Sequence, residues 1–204
     1  MKYEAEIKEL LIDNTIHLIA EGGFEKATTK ELTYCGGSLP NFKMNEVYIY
    51  RLFGGKEKLY EAAFLCLDRE LISAFQNGVK AVGGFSEAPT QKLYQFFLRA
   101  WEFVLRNEDR CRCYLRYYHS VYFKDHSKAV HREHFAQIIH EMAPLFKEEA
   151  EVVAILHSVF TSLFDFAIRV YNHELEDNEI TRPHIFNVLY CMMMTYLNDS
   201  VRAS

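Results

Sequence analysis

The sequence predicts an all-α protein with about nine helices. Apolar residues recur at intervals of three and four along most of the chain, and almost no stretch alternates with the period of two that a strand requires. Only four prolines and nine glycines interrupt the 204 residues. Half of the residues are hydrophobic and a quarter are charged, which is the composition of a globular protein with a real core.

The first helix is expected from about Tyr3 to Ala20, with the pair Gly22-Gly23 ending it. Its buried face is predicted from five apolar residues at helical spacing. They are Ile7, Leu10, Leu11, Leu18 and Ile19.

Two short helices are expected next. Thr28 and Glu31 have the spacing of a capping box, in which each side chain can satisfy a backbone amide at a helix start, so a helix is predicted from Thr28 to about Cys35. Another is predicted from Asn45 to Phe53, where Gly54-Gly55 stops it.

Six longer helices are expected after residue 55. In chain order they are Lys56 to about Asn77, Thr90 to about Asn107, Cys111 to Phe123, Lys128 to Met142, Glu149 to Tyr171, and a last helix that starts at Thr181 and Pro183. The first of these is long enough to leave a small N-terminal domain and enter a larger one.

The N-terminal series of residues resembles the DNA-binding end of the TetR family of transcriptional regulators. The similarity covers about residues 7 to 65. It rests on three groups of residues in the family's order: Ile16, Leu18, Ile19, Gly23 and Phe24; Thr28, Thr29 and Leu32; Asn45, Ile49, Tyr50, Phe53, Lys56, Glu57 and Leu59.

The sequence departs from the family pattern in two places. Residues 38–43, which include Pro40, add roughly six residues to the family's tight turn. Glu46, Val47 and Tyr48 stand where the family usually has a variable residue, a glycine and a small hydroxyl residue.

The resemblance implies a helix-turn-helix domain at residues 1–55 and a ligand-binding and dimerisation domain at 56–204. It implies a homodimer that binds a palindromic double-stranded operator as a repressor and is released by a small-molecule effector. The positions expected to contact DNA are Thr28, Lys43, Asn45, Glu46, Tyr48, Tyr50, Arg51 and Lys56. Tyr50 and Lys56 match family positions that hold phosphates, and Asn45, Glu46 and Tyr48 are expected to face base edges.

The charge balance runs against this prediction. The net charge is −5, and residues 1–60 carry eight basic and nine acidic side chains, whereas a DNA-binding surface is normally basic. Lys43, Arg51, Lys56 and Lys58 cluster at the predicted contact surface, so we expect weak non-specific binding that depends on dimerisation.

The last two long helices have apolar residues on more than one face, so each needs two packing partners. A second subunit is the most economical second partner, and the family resemblance implies the same four-helix interface. A central helix buried in a monomer is the alternative. The interface residues expected are Leu156, Leu163, Ile168, Leu189, Met192 and Tyr196.

An aromatic-rich set of residues is expected to line an effector cavity or else to form ordinary core. The members are Cys66, Tyr94, Phe97, Trp101, Tyr114, Tyr117, Tyr118, Phe160 and Phe164. The cavity is expected between the fourth helix and the helices that contain Trp101, Tyr117 and Phe160.

Other kinds of site are not expected. His126, His131 and His134 lack a confirming metal-ligand spacing and are predicted to be solvated; Cys111 and Cys113 should point to different faces of a helix. No nucleophile–base pair, phosphate loop or catalytic carboxylate pair is visible, so neither enzyme activity nor a cofactor is expected. No apolar run approaches the roughly 20 residues of a membrane span, and five cysteines without paired spacing indicate a reducing, cytoplasmic setting.

Two alternative functions remain open from the sequence. The larger domain can bind a protein co-regulator instead of a small molecule, in which case an apolar surface patch is expected outside the dimer face. The other alternative is a ligand-binding or scaffolding protein whose DNA-binding head has degenerated.

Overall fold

The structure, a computed structural model, describes residues 2–34 and 44–202. These residues form ten α-helices and a 3-10 turn at Ala143–Leu145, which confirms the predicted all-α class. The helices are α1 (Lys2–Lys26), α2 (Thr29–Leu32), α3 (Val47–Phe53), α4 (Lys56–Ala81), α5 (Pro89–Arg106), α6 (Glu108–Tyr118), α7 (Asp125–Met142), α8 (Val152–Tyr171), α9 (Thr181–Met194) and α10 (Asp199–Arg202).

Helix boundaries differ from the prediction mainly at the C-terminal ends. α1 is broken by a kink at Gly23, where φ is 71° and ψ is −169°, so its long segment stops at the glycine pair as predicted, and a short helical segment follows to Lys26. α6 ends at Tyr118, five residues before the expected Phe123. α10 was not expected, because four residues are too few to show a helical period.

The chain forms two compact units. Unit 1 comprises residues 1–69 and 109–131, and unit 2 comprises residues 70–108 and 132–204. α4 and α7 each supply residues to both units. The sequence analysis divided the chain at residue 55 by the functions expected of the two parts, whereas these units are defined by compactness. The functional division therefore stays a prediction.

Unit 1 is held together by backbone and side-chain contacts around α2. The Asn14 amide on α1 donates to the carbonyl oxygens of Glu31 and Leu32, at 3.0 and 2.8 Å. The hydroxyl of Tyr60 donates to the carbonyl of Ala27 at 2.6 Å. The largest buried residues of this unit include Ile7, Leu11, Ile19, Leu32, Ile49, Leu59, Tyr60, Phe64 and Tyr117. These hydrogen bonds hold α2 and the residue Ala27 before it against α1 and α4.

Unit 2 is built on α5, α8 and α9 together with the second half of α4. The rings of Phe75 and Phe160 stack with centroids 4.8 Å apart, and the hydroxyl of Tyr171 donates to the carbonyl of Val104. Asn178 stabilises the turn that leads into α9, because its side-chain oxygen accepts from the backbone N–H of Ile180 and Thr181 at 3.0 and 2.9 Å.

α8 corrects one expectation of the sequence. It is 20 residues long with a mean hydropathy of 1.5, so by length and composition alone it could cross a membrane. Six of its side chains are buried inside unit 2, and they are Leu156, Val159, Phe160, Leu163, Phe164 and Ala167. Packing in this core accounts for the apolar residues on that side of α8, which are a third of the apolar stretch.

Candidate functional site

The surface of α3 is the candidate DNA interface. The side chain of Ile49 is fully buried, whereas Val47 and Tyr50 are 60% and 61% exposed. Tyr48 is half-buried and Arg51 is exposed. Tyr50 and Arg51 are therefore open to solvent. Lys43, which was predicted to join them, lies outside the described residues.

The segment before α3 positions two more of the predicted residues. The side-chain oxygen of Asn45 accepts from the backbone N–H of Val47 at 2.9 Å, which stabilises the turn before α3. Glu46 is exposed beside it. Thr28 caps α2, because its hydroxyl oxygen accepts a hydrogen bond from the backbone N–H of Glu31 at 3.3 Å. This hydroxyl, which was predicted to contact DNA, therefore stabilises the start of α2.

The turn between α3 and α4 explains the glycine pair. Gly54 and Gly55 have φ angles of 82° and 136°, a region that favours glycine because a Cβ atom is strained there. Lys56 follows at the first residue of α4, with its ammonium 5.7 Å from the centroid of the Tyr60 ring. Burial raises the pKa of Tyr60 to about 12, so its hydroxyl remains a donor. Lys56 is thus placed at a helix N-terminus, where anions are favoured.

The first turn of α1 contacts α3, which the sequence reasoning missed. Oε1 of Glu4 lies 3.2 Å from Nη2 of Arg51. The Arg51 guanidinium carbon lies 4.6 Å from the centroid of the Tyr48 ring. A hydrogen bond between the hydroxyls of Tyr3 and Tyr48 raises the pKa of Tyr3. No helical spacing links residues so far apart in the chain, so the sequence carried no signal for this cluster.

Other basic residues of unit 1 also have acidic partners of their own. Lys58 is 2.7 Å from Glu61, Lys26 pairs with Glu21, and Lys124 is 3.3 Å from Glu57. Pairs of this kind reduce the positive potential that unit 1 presents to DNA.

The predicted effector-pocket residues divide between the two units. Cys66, Tyr114, Tyr117 and Tyr118 belong to unit 1, and Tyr94, Phe97, Trp101, Phe160 and Phe164 belong to unit 2. In unit 1 the rings pack against one another: Phe64 stacks on Tyr117 and on Tyr114, with centroids 4.5 and 5.3 Å apart. Burial raises the pKa of Tyr117 to about 12. Of the unit 1 members, Tyr114 and Tyr117 are core residues, whereas Cys66 and Tyr118 are half-buried.

His131 is not solvated, which corrects the sequence prediction. It is 3% exposed, and its Nδ1 atom lies 2.7 Å from Oδ1 of Asp68, which has no exposure. The hydroxyl of Tyr114 also donates to Asp68, at 3.4 Å. The error arose because the partner lies 63 positions away in the chain, on α4. Only His126 of the three histidines is exposed, and His134 is half-buried.

An apolar cavity lies in the core of unit 2, and it is small. Its volume is about 40 Å³, whereas pockets that bind small molecules usually measure roughly 300–1,000 Å³. Phe97 and Phe160 are the two predicted pocket residues that line it, together with residues such as Met142, Phe186 and Met193. An effector bound here has to displace side chains, of which the two methionines are the most adaptable.

A larger cleft of about 390 Å³ lies beside Trp101, also in unit 2. The indole N–H of Trp101 donates to Oδ1 of Asp177 at 2.8 Å. Arg182 donates to both oxygens of Asp177, at 2.7 and 2.6 Å, and these bonds hold the pKa of Asp177 below its usual value. The remaining lining residues are Leu98, Glu102, Leu105 and Arg106.

The lining of this cleft combines apolar side chains with charged ones. Arg106 pairs with Glu102 one helical turn away, and both side chains are mostly exposed. The i,i+4 spacing of that pair is visible in the sequence, as is the Asp177–Arg182 spacing. Neither spacing identifies a cleft, because the cleft forms only when α5 meets the segment before α9.

The predicted dimer residues fall into two groups. Leu156, Leu163 and Leu189 are buried inside unit 2, at 0%, 3% and 4% exposure, and so have little surface left for a partner. Ile168 and Met192 are half-buried. Tyr196, which follows α9, is 46% exposed, and three apolar residues that were not predicted are exposed on α8 and α9: Val153, Val188 and Met194.

The cysteines and histidines show no metal chemistry within the described part of the chain. No group of three or more His, Cys, Asp or Glu side chains is arranged there to hold a metal ion. Cys111 and Cys113 are both buried, and burial raises the pKa of Cys113 to about 12, which suppresses the reactive thiolate.

Comparison with solved structures gives consistent matches over nearly the whole chain. A TetR-family transcription regulator from Marinobacter aquaeolei VT8 matches with a TM-score of 0.75 and 15% identity, over 94% of this chain and 98% of that one. A protein assigned to the same family from Shewanella sp. PV-4 gives 0.72 and 14%, again over 94% and 98%. Another from Vibrio parahaemolyticus gives 0.68 and 17%, with the same coverage.

No family model matches the sequence, and no curated protein matches it. The structural matches have low identity, so they establish the fold. The helix order and these matches agree with one another. The chain has the fold of the TetR-family transcription regulators.

Proposed function

We propose that the protein is a DNA-binding transcription regulator that reads duplex DNA with α3 and the turn before it. The observation that supports this most directly is the exposed surface of α3, which carries Val47, Tyr50 and Arg51 around the single buried Ile49. A helix with one anchored side and one exposed side is what a reading helix needs in order to enter a major groove.

The proposed contacts divide into phosphate and base contacts. Phosphates are bound by Tyr50 and Arg51 on α3 and by Lys56 at the start of α4. These contacts set the position of α3 on the duplex. Glu46 and Tyr48 face base edges. The carboxylate of Glu46 can accept a hydrogen bond from a cytosine amino group, and it repels nearby phosphates when no such donor is present.

The regulator acts as a homodimer, because a palindromic operator requires two reading helices about 34 Å apart. The dimer surface that we propose is the exposed face of α8 and α9. Exposed apolar side chains there include Val153, Val188 and Met194, and the exposed Tyr196 follows the end of α9. A second copy would remove them from water. This surface replaces the buried leucines that were expected from the sequence.

An effector bound to unit 2 releases the DNA, and repression is the mode that we propose. The Trp101 cleft is the stronger candidate for the effector site, because its volume of about 390 Å³ suits a small organic molecule without rearrangement. α4 contributes residues to both units, so it is the proposed mechanical link from effector to reading head.

The experiment that tests the function is a footprint on the DNA that flanks the protein's own gene. The expected result is one protected palindromic segment whose half-sites lie one helical turn apart. A duplex with the same composition and a scrambled sequence is the control. Equal affinity for both duplexes contradicts the operator proposal.

A second candidate is a protein with the same fold whose head has lost DNA binding and which acts through a ligand or a protein partner. The pairing of Arg51, Lys58 and Lys26 with acidic neighbours favours it, since these pairs weaken the basic surface. Absence of binding to any duplex at low salt, with a folded dimer present, would support this candidate over the first.

A further inference from the structure

Glu4 is the acidic partner of Arg51, and the two side chains meet between the first turn of α1 and the last turn of α3. Both are half exposed, and the carboxylate and guanidinium atoms are 3.2 Å apart. Arg51 at the same time lies over the Tyr48 ring. The only cation within α3 is therefore held by a carboxylate of the same unit.

The position of Glu4 favours a negative charge. The first turn of a helix presents unpaired backbone N–H groups and the positive end of the helix dipole, both of which attract an anion. Glu4 is the acidic residue in the first turn of α1. The N-terminus of α1 therefore stabilises the negative charge of the Glu4 carboxylate that pairs with Arg51.

We infer that Glu4 competes with DNA phosphates for Arg51. This inference rests on the proposed DNA-binding function. Arg51 can neutralise a phosphate fully only by leaving Glu4, so binding a phosphate at this position requires that the ion pair separates. Glu4 therefore lowers the affinity of the protein for any duplex on which Arg51 binds a phosphate, random DNA included.

The competition has a limited size, because the pair is exposed. Exposed ion pairs change an equilibrium by roughly twofold to fivefold. That range is large enough to measure and matters for a regulator, since non-specific sites vastly outnumber operators in a genome.

The test compares Glu4→Gln with Glu9→Gln, which removes the same charge from an exposed position on the same helix. Binding of each protein to a labelled random-sequence duplex is measured by fluorescence anisotropy over a series of salt concentrations. Glu4→Gln is expected to bind roughly threefold to fivefold more tightly at low salt. Its log-log salt slope is expected to steepen by about 0.9 per subunit, because Arg51 then neutralises one more phosphate.

The same Glu4→Gln change is then made in an Arg51→Gln background, which removes the proposed intermediary. The increase in affinity and the change in slope are expected to disappear there. An increase of the same size in both backgrounds, or an equal increase from Glu9→Gln, overturns the inference while leaving DNA binding intact.

Failure of the proposed function gives a different result. If neither the unmodified protein nor Glu4→Gln binds any duplex at low salt, the DNA-binding proposal and this inference fall together. Thermal denaturation of each variant checks the fold, and similar melting temperatures are expected because the pair is exposed.

Discussion

The Nδ1 atom of His131 lies 2.7 Å from Oδ1 of Asp68, and the two side chains are 4% and 0% exposed. These residues join α7 to α4 inside unit 1. A polar pair buried to this extent is costly to separate, because the group left behind loses its partner without regaining water.

Asp68→Ala is expected to destabilise the fold by about 3–5 kcal/mol, the usual cost of removing one partner from a buried pair. Urea denaturation followed by circular dichroism measures the free energy of unfolding. Asp165→Ala is the matched control, because Asp165 is 60% exposed and pairs with Arg169 on the surface; its expected cost is below about 1 kcal/mol. Equal losses of stability in the two variants would contradict the structural role of the buried pair.

Lys56→Ala is expected to weaken binding to operator and random duplexes alike. Lys56 begins α4, where it adds charge to a helix N-terminus, so the substitution affects phosphate binding and not base recognition. The log-log salt slope should become shallower by about one unit for each phosphate that Lys56 neutralises in the unmodified protein. Lys80→Ala, an exposed change in the last turn of the same helix, should leave both quantities unchanged. An unaltered salt slope for Lys56→Ala would mean that Lys56 does not contact a phosphate and that α3 is oriented differently on DNA from the proposal.

Val188→Glu is expected to convert dimers to monomers. Val188 is 49% exposed on α9, and burying a carboxylate against an apolar partner surface is unfavourable. Sedimentation or light scattering at matched concentration measures the mass. Val121→Glu is the control, since Val121 is 81% exposed and lies in unit 1. If Val188→Glu remains dimeric, the dimer interface does not include this face. A charge at Leu163 is not used here, because Leu163 is buried and the change would test only folding.

Acidification is expected to loosen the Trp101 cleft. The hydrogen bond from Arg182 lowers the pKa of Asp177 from its ordinary value of 3.8. A lowered folded-state pKa means that the carboxylate contributes stability above the ordinary value and that this contribution is lost as the pH falls through the folded-state pKa. Fluorescence of Trp101, the single tryptophan, should change over that acidic window.

Asp177→Asn should remove the acid transition in the Trp101 fluorescence, because the amide does not titrate in that range. Asp199→Asn is the control, with a side chain that is 92% exposed. A transition that persists unchanged in Asp177→Asn would show that another carboxylate governs the environment of Trp101.

The sequence by itself determined the helical class and most helix positions. The period of the apolar residues depends only on helix geometry, so α4, α5, α8 and α9 could be read from it with small boundary errors. The capping role of Thr28 and the stop at Gly54-Gly55 were also visible, because caps and left-handed turns act within a few residues of chain.

Only the tertiary structure decided which residues meet across long separations. The Glu4–Arg51 pair, the Asp68–His131 pair and the Trp101–Asp177 bond join residues that are 47, 63 and 76 positions apart. A helical period specifies which face of a helix is apolar, but it does not specify which other helix covers that face. For that reason the aromatic residues expected in one pocket divide between two units, and the leucines expected at a dimer surface are buried in their own subunit.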